Sequence, residues 1–253
     1  MKTKSNNDQI YIGRKAGIEG TNLMREILNT KNSLKIVSPY LSRSYLRHLV
    51  ELSKKGVKIT LITADELEQG AEGFSDFRQA DIIKQKKIVD ADAKKSKSKI
   101  KKISALGLIL SLFSVIFYFV SPVLMIIPIA LVSISLFGFA KSYSVRECRY
   151  EYYSIFRLKI FDSSSGEKPR SKELIHSKIF VIDENTAFLG SANFTYSGFN
   201  THYETLIKIE DKKAVIDISR EVESLYNSTE LEFKQISELG KQIYELNQQI
   251  LNN

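Results

Sequence analysis

His176-Ser177-Lys178, then Asp183, then Gly190-Ser191-Ala192-Asn193 is the stretch whose reading decides the fold. Its pattern is H-x-K-x4-D-x6-G-S-x-N, with every spacing fixed. His, Lys and Asp at those offsets would be a weak signal on their own. Gly, Ser and Asn in register with them make it a strong one. Residues 174–182 read as a strand, Glu184-Asn185 as a turn and residues 186–189 as the antiparallel return. Two residues apart on a strand, His176 and Lys178 leave the same face. A phosphodiester needs a nucleophile, an acid for the leaving oxygen and positive charge around the phosphoryl oxygens. Imidazole can serve as nucleophile or acid near neutral pH. Lys178 offers fixed charge, and Ser191 and Asn193 offer short donors to phosphate oxygens. Glu204, at the start of a strand read over 203–209, can bond one imidazole nitrogen and fix the tautomer.

Upstream, Thr21 or Asn22 is a candidate cap for a helix through about Asn29, and residues 1–9 read as frayed. Residues 33–38 read as a strand stopped by Pro39. Ser42 or Ser44 opens a helix that Gly56 ends, and residues 57–63 form the next strand. Strand, helix and strand at this spacing predict a βαβ unit, hence a parallel sheet. Residues 66–92 are polar and mostly helical in pattern, residues 151–161 are strand-like, and the chain from about Lys212 is helical. His48 lies on a helix flank and reads as structural, and His202 reads as a loop residue that shares a face with Glu204 only if its strand begins early.

Residues 103–140 hold no charged side chain. As helix, these 38 residues would measure roughly 57 Å against a hydrocarbon core of about 30 Å. That length suits two spans, expected over 103–120 and 123–140, with Ser121-Pro122 at the turn. A buried soluble hairpin and a re-entrant hairpin are the alternatives. Nine lysines lie between Lys84 and Lys102, and Lys141, Arg146 and Arg149 follow the apolar stretch. Positive charge at both ends predicts that both soluble parts are cytoplasmic. The net charge of +8 favours anionic partners, phospholipid headgroups or nucleic acid. The single cysteine, Cys148, excludes an internal disulfide and a cysteine-based zinc cluster. The polar start of the chain does not read as a signal peptide.

The full motif resembles the signature of the phospholipase D superfamily, named for its His-Lys-Asp trio. The resemblance implies an α/β fold with a mixed sheet flanked by helices, here carrying an inserted transmembrane hairpin. The expected division is residues 1–100, the hairpin at 101–141, and residues 142–253 with the motif and a C-terminal helix. By resemblance, His176 is the nucleophile of a metal-independent reaction through a phosphohistidine, with no cofactor. Lys178 and Asn193 hold the phosphate, Asp183 supports the site, and Glu204 orients His176. The family uses a second histidine from a second motif, and this chain has one motif. A homodimer sharing one active site is therefore expected. The C-terminal residues Ile236, Leu239, Ile243, Leu246 and Ile250 fall in heptad spacing, which suits either a dimer seam or packing on the parent domain. Three functions stay open: a membrane-anchored phosphodiesterase acting on phospholipid by hydrolysis or phosphatidyl transfer, a membrane-tethered nuclease, and a non-catalytic scaffold.

Overall fold

The computed structural model describes residues 2–5, 8–12, 18–64, 81–119, 121–161, 175–229 and 232–251. In chain order its elements are β1 (Lys2–Ser5), β2 (Asp8–Ile12), α1 (Ile18–Leu28), β3 (Ser33–Val37), α2 (Arg43–Lys54) and β4 (Lys58–Ala64). Then come β5 (Ile83–Val89), α3 (Ala91–Ser114), α4 (Ile126–Ser144), β6 (Cys148–Ser154) and β7 (Arg157–Phe161). The chain closes with β8 (Lys178–Ile182), β9 (Thr186–Gly190), α5 (Tyr196–Asn200), β10 (Thr205–Ile209), α6 (Lys212–Asn227) and α7 (Ile236–Leu251). It divides into two compact units, Met1–Lys84 with Tyr152–Asn253, and Gln85–Glu151. The second unit is wider at both ends than the 101–141 expected from the uncharged stretch.

The first unit is built on one eight-stranded sheet of order β1-β2-β10-β9-β8-β3-β4-β7. β3, β4 and β7 run parallel, and the remaining pairings are antiparallel, so the sheet is mixed. The β3-α2-β4 unit is the predicted one, and Gly56 ends its helix at φ +92°, where a Cβ would be strained. Alternation along the strands sends Leu34, Ile36, Ile59, Leu61, Leu158, Ile160, Phe180, Ile182 and Phe188 to one face. There they pack with Leu23 and Ile27 of α1, Leu46 and Leu49 of α2, Phe199 of α5, and Ile236, Leu239 and Ile243 of α7. The opposite face carries Val37, Ile62, Val181 and Ala187 under Val215 and Val222 of α6. On that face Lys35 bridges Glu184 and Glu223 at 3.0 Å each, and Arg157 holds Glu223 with two hydrogen bonds of 2.9 and 3.0 Å.

Several expectations need correcting. Residues 2–5 and 8–12 are strands of the sheet, the first of them at its edge, not a frayed end. Residues 83–89 form a strand, not helix, and pair with β6 in a two-stranded ribbon. The strand-like 151–161 run splits at Ile155-Phe156, its halves lying in different sheets. The heptad-spaced C-terminal residues Ile236, Leu239 and Ile243 pack on their own domain, while the side chains of Leu246 and Ile250 fall outside the described residues.

The second unit is an antiparallel helical hairpin whose α3 begins in the basic run, capped by the Asp90 carboxylate at the N–H groups of Asp92 and Ala93. Its residue distribution is inverted. Ser104, Ser111 and Ser114 of α3 and Pro128, Ser135 and Ser142 of α4 are buried. Leu112, Phe113, Ile116, Phe119, Val123 and Phe137 are among the large apolar side chains left exposed, the least of these six at 67 %. A Cβ on Gly107 would lie 2.3 Å from Ser135 Oγ, and one on Gly138 2.2 Å from Ser104 Oγ, so each glycine faces a serine hydroxyl of the other helix at close approach. By length and composition one described helix, Ile126–Ser144, is apolar enough to cross a membrane, with mean hydropathy 1.6. α3 shares its length between six lysines and an apolar half, so the two expected spans are not equivalent helices.

Asp183 occupies the turn between β8 and β9. Asp183 and Glu184 have φ of 52° and 54°, and Asn185 N–H donates to Ile182 O at 3.0 Å, a type I′ turn centred one residue earlier than expected. The Asp183 carboxylate accepts from the N–H groups of Lys31, Asn32 and Ser33, at 3.0, 2.6 and 2.9 Å. Burial pushes this carboxyl up, but the three backbone donors outweigh it and hold the group below its ordinary range. Such a group adds stability above its unfolded pKa and loses it as pH falls through the folded one. Asp183→Asn keeps a residue that tolerates positive φ and removes the charge. It should cost about 1–3 kcal/mol at neutral pH, with the gap to wild type closing below about pH 3.9. Thermal and denaturant unfolding of both proteins check this, and equal stability at pH 7 would refute it.

Candidate active site

Lys178 opens β8 on the face that also carries Phe180 and Ile182, and it is only 5 % exposed. A buried ammonium needs donors' partners at hand. Lys178 Nζ donates to His176 O at 2.7 Å and lies 3.2 and 3.1 Å from His176 Nδ1 and Nε2. Near-equal distances to both ring nitrogens place Nζ over the imidazole face, because an in-plane approach would collide with Cε1. The ammonium therefore does not occupy the in-plane lone pair that a nucleophilic nitrogen uses. His176 is exposed and sits in the irregular segment just before β8 instead of on the strand. Burial lowers the Lys178 pKa from its ordinary value, while the Glu204 carboxylate pulls it back up.

The second wall is the turn after β9. Gly190 ends β9, and a Cβ there would fall 1.9 Å from Thr205 O, so the motif glycine is required for β9 to close on β10. Ser191 N–H donates to the same carbonyl at 3.0 Å. Ser191 Oγ donates to Glu204 Oε2 in a very short contact and accepts from Thr205 N–H at 3.0 Å. Asn193 Oδ1 is buried with no hydrogen-bond partner among the described residues. Such a group is costly unless something bonds it. The amide's oxygen and nitrogen ends are interchangeable by a flip, so either could face the space beside the motif turn. α5 folds tightly against it: a Cβ on Gly198 would meet Asn193 O at 2.6 Å.

Of the expected site residues, the fold brings together His176, Lys178, Ser191 and Glu204, with Asn193 in the same turn as Ser191. Asp183 is not among them. It lies five strand residues from Lys178, roughly 16 Å at strand rise, in the structural turn described above. Glu204 is beside Ser191 and within electrostatic reach of Lys178, but its hydrogen bond goes to Ser191 and not to His176. His202, a loop residue, has its Nδ1 3.8 Å from Glu204 Oε1. His48 packs beside Tyr45 on α2, its pKa lowered first by burial and then by the Arg47 charge.

Two contributors were missed from sequence. Ser38 Oγ accepts from Phe194 N–H at 2.8 Å, and Ser42 Oγ accepts from Tyr196 N–H at 2.7 Å. Ser42 was expected to cap α2; it stands at the cap position, but its hydroxyl does not cap the helix and holds the motif turn instead. The signal available was two serines flanking Pro39-Tyr40-Leu41 directly after a strand.

The profile of the phospholipase D-like domain of cardiolipin synthase matches residues 139–226, a span that contains the whole motif. Residues 139–226 thus match a phospholipase D-like domain. Phosphodiester chemistry goes with a domain of that kind. No curated protein matches the chain. Among solved structures, the chain is similar to NucT from Helicobacter pylori, with 13% identity, TM-score 0.46, and 86% and 94% of the two chains covered. It is also similar to the phospholipase D family member Nuc from Salmonella typhimurium, with 12% identity, TM-score 0.42, and coverage of 90% and 99%. A third is phosphatidylserine synthase from Haemophilus influenzae Rd KW20, with 14% identity, TM-score 0.40, and coverage of 98% and 47%.

The environment of Lys178 yields a pH prediction. A cation that must stay protonated fails as pH rises through its folded pKa, so activity should fall on the alkaline side below about 10.4, the ordinary lysine value. Glu204→Gln removes the charge that pulls Lys178 up and should move this limb to lower pH. A pH–rate profile with an alkaline limb that does not respond to Glu204→Gln would refute the coupling.

Proposed function

We propose that the protein is a membrane-anchored phosphodiesterase that acts on phospholipid, by hydrolysis or phosphatidyl transfer, through a phosphohistidine at His176. In the first half-reaction an imidazole nitrogen attacks phosphorus while the bond to the leaving alcohol breaks, and an acid gives that oxygen a proton. In the second, water or an acceptor alcohol attacks the phosphohistidine, the base on the far side takes its proton, and His176 leaves. Lys178, Ser191 and Asn193 supply charge and donors to the phosphoryl oxygens. This chemistry requires no metal.

One observation carries the choice of substrate. Residues 85–151 hold eleven lysines and arginines against four acids, a net of +7 within a chain whose total is +8. The catalytic unit is left at +1, without the excess that would draw a nucleic-acid backbone to it. The hairpin supports the same reading. Small residues inside and large apolar residues outside suit a hydrocarbon surround, where packing rather than hydrophobicity joins helices. Lys84 and Tyr152 border the same unit, so a hairpin in the bilayer returns to the side it left. With cations at both ends, that side is the cytoplasmic one. A second copy supplies the acid: a two-fold axis through the site sets His176 of one subunit to attack and His176 of its partner to protonate the leaving group.

Purified protein in lipid should release headgroup from labelled phospholipid, in the presence of a chelator, and leave labelled single- and double-stranded DNA and RNA intact. His176→Asn should lower turnover by at least about 10³-fold while the protein still folds. Cleavage of nucleic acid alone would establish the nuclease alternative, and full activity in His176→Asn would end the phosphohistidine reading.

The shared site predicts a mixing law. When wild-type and His176→Ala chains are co-expressed, activity should follow the square of the wild-type fraction, since only pure wild-type dimers hold both histidines. Strict proportionality to that fraction would overturn the shared site.

A further inference from the structure

We propose that the lysines of α3 form a lipid-facing collar that selects anionic phospholipid headgroups around the hairpin. The inference rests on the membrane reading of the hairpin and adds to it a binding site and its ligand, the phosphate of an anionic lipid.

The argument begins with helical geometry. Lys94, Lys95, Lys97, Lys99, Lys101 and Lys102 occupy the first half of α3. At about 100° per residue they spread over an arc of roughly 200°. The arc they leave open holds Ala93 and Ile100, both partly covered, with the exposed Asp92 and Ser96 toward its outer edge. That row continues through Ser104, Gly107, Ser111 and Ser114, the seam against α4. The lysines therefore take the outward side of the helix, below the exposed apolar side chains Leu106, Ile109 and Leu110. One continuous helix fixes the height of the charges relative to the apolar boundary.

The charges are not neutralised within the protein. Lys97, on the rim of the seam, pairs with Glu147 at 3.0 Å, and Lys101 lies 5.4 Å from the centroid of the Tyr143 ring. Lys94, Lys95, Lys99 and Lys102 are exposed and carry no ion pair among the described residues. Lys141 and Arg146 stand at the same end of the hairpin, next to those two contacts. The field reaches Glu147, whose carboxyl is held below its ordinary range by the Lys97 hydrogen bond first and by the charges of Lys97, Lys94 and Lys101, against the opposing effect of burial. Orienting a hairpin needs a few cations near its ends. A ring of unpaired ammonium groups around the outward arc does more: it sits where lipid phosphates lie, and each basic group near an anionic surface adds to the attraction. Long lysine stems allow the charge to reach that plane from the apolar edge.

The test uses the full chain reconstituted in phosphatidylcholine vesicles doped with spin-labelled phosphatidylglycerol or spin-labelled phosphatidylcholine. The motionally restricted fraction of each label is read by electron paramagnetic resonance. The labelled phosphatidylglycerol should be favoured on the order of three- to tenfold, less so as salt is raised. Changing Lys94, Lys95, Lys99 and Lys102 together to Gln should abolish the preference, and changing the same four to Arg should keep it. Equal restriction of the two labels overturns the collar and leaves the membrane reading standing. No restricted fraction for either label removes the hairpin from the bilayer and overturns both. A fluorescent single-stranded oligonucleotide is added as a competitor. If it binds wild type but not the Gln variant while the lipids stay equal, the lysines serve nucleic acid and the proposal fails.

Discussion

Between Val37 and Ile179 the antiparallel pairing of β3 with β8 joins two parts of the chain that are far apart in sequence. Every other feature of the site depends on that join. At one end of the pair the chain leaving β3 presents Ser38 and Ser42, whose hydroxyls bind the backbone of the turn that carries Asn193. At the other end Asp183 ties the β8-β9 turn to the three backbone donors preceding β3. The pairing is thus clamped at both ends by side chains bonding to backbone, and its register sets where Lys178 emerges. A shift of one residue would turn Lys178 from the site face to the face under α6.

The charge balance at that point explains why the motif needs so many polar partners. An ammonium buried to 5 % exposure is stable because His176 O, the imidazole face and the nearby Glu204 share it. Ser191 in turn occupies Glu204, leaving Asn193 as the group whose hydrogen-bonding capacity is unspent. Under the proposed phosphodiesterase function, such an arrangement would offer an oxygen-rich anion donors fixed in advance, with little reorganisation left for the reaction step. The exposed imidazole of His202 lies 3.8 Å from Glu204 on the other side.

The sequence made the central features legible where local physics decides. The parallel βαβ unit, the Gly56 stop and the β8-β9 hairpin follow from periodicity and turn residues, and the motif spacing located His176, Lys178, Ser191 and Asn193. What could not be read depends on tertiary placement. Asp183 looks identical in a pattern whether it faces a substrate or caps backbone N–H groups across the sheet. Ser42 satisfies the rule for a helix cap, yet its hydroxyl serves a turn more than a hundred residues away in sequence. Residues 83–89 look helical because four of the seven are polar, and pairing with β6 makes them a strand. The hairpin was visible as an uncharged run, but its inverted interior, with serines inside and phenylalanines outside, needed the two helices in register.

The order of sheet strands also has a consequence for biosynthesis. β3 and β4 leave the ribosome before their later partners, and β4 must wait for β7 and β3 for β8, with the entire hairpin made in between. Until then a two-stranded parallel pair has both edges open, the kind of exposed edge that recruits other chains. Bringing the late strands back requires closing a long loop, an entropic cost that a freely jointed insertion would leave unpaid. With its ends brought together by the β5-β6 ribbon, the hairpin shortens the loop between β4 and β7 from 92 residues to about 20, the 18 before β5 and the two after β6. An insertion closed in this way lowers the entropic cost of bringing β7 to the open edge of β4, and so favours early covering of that edge.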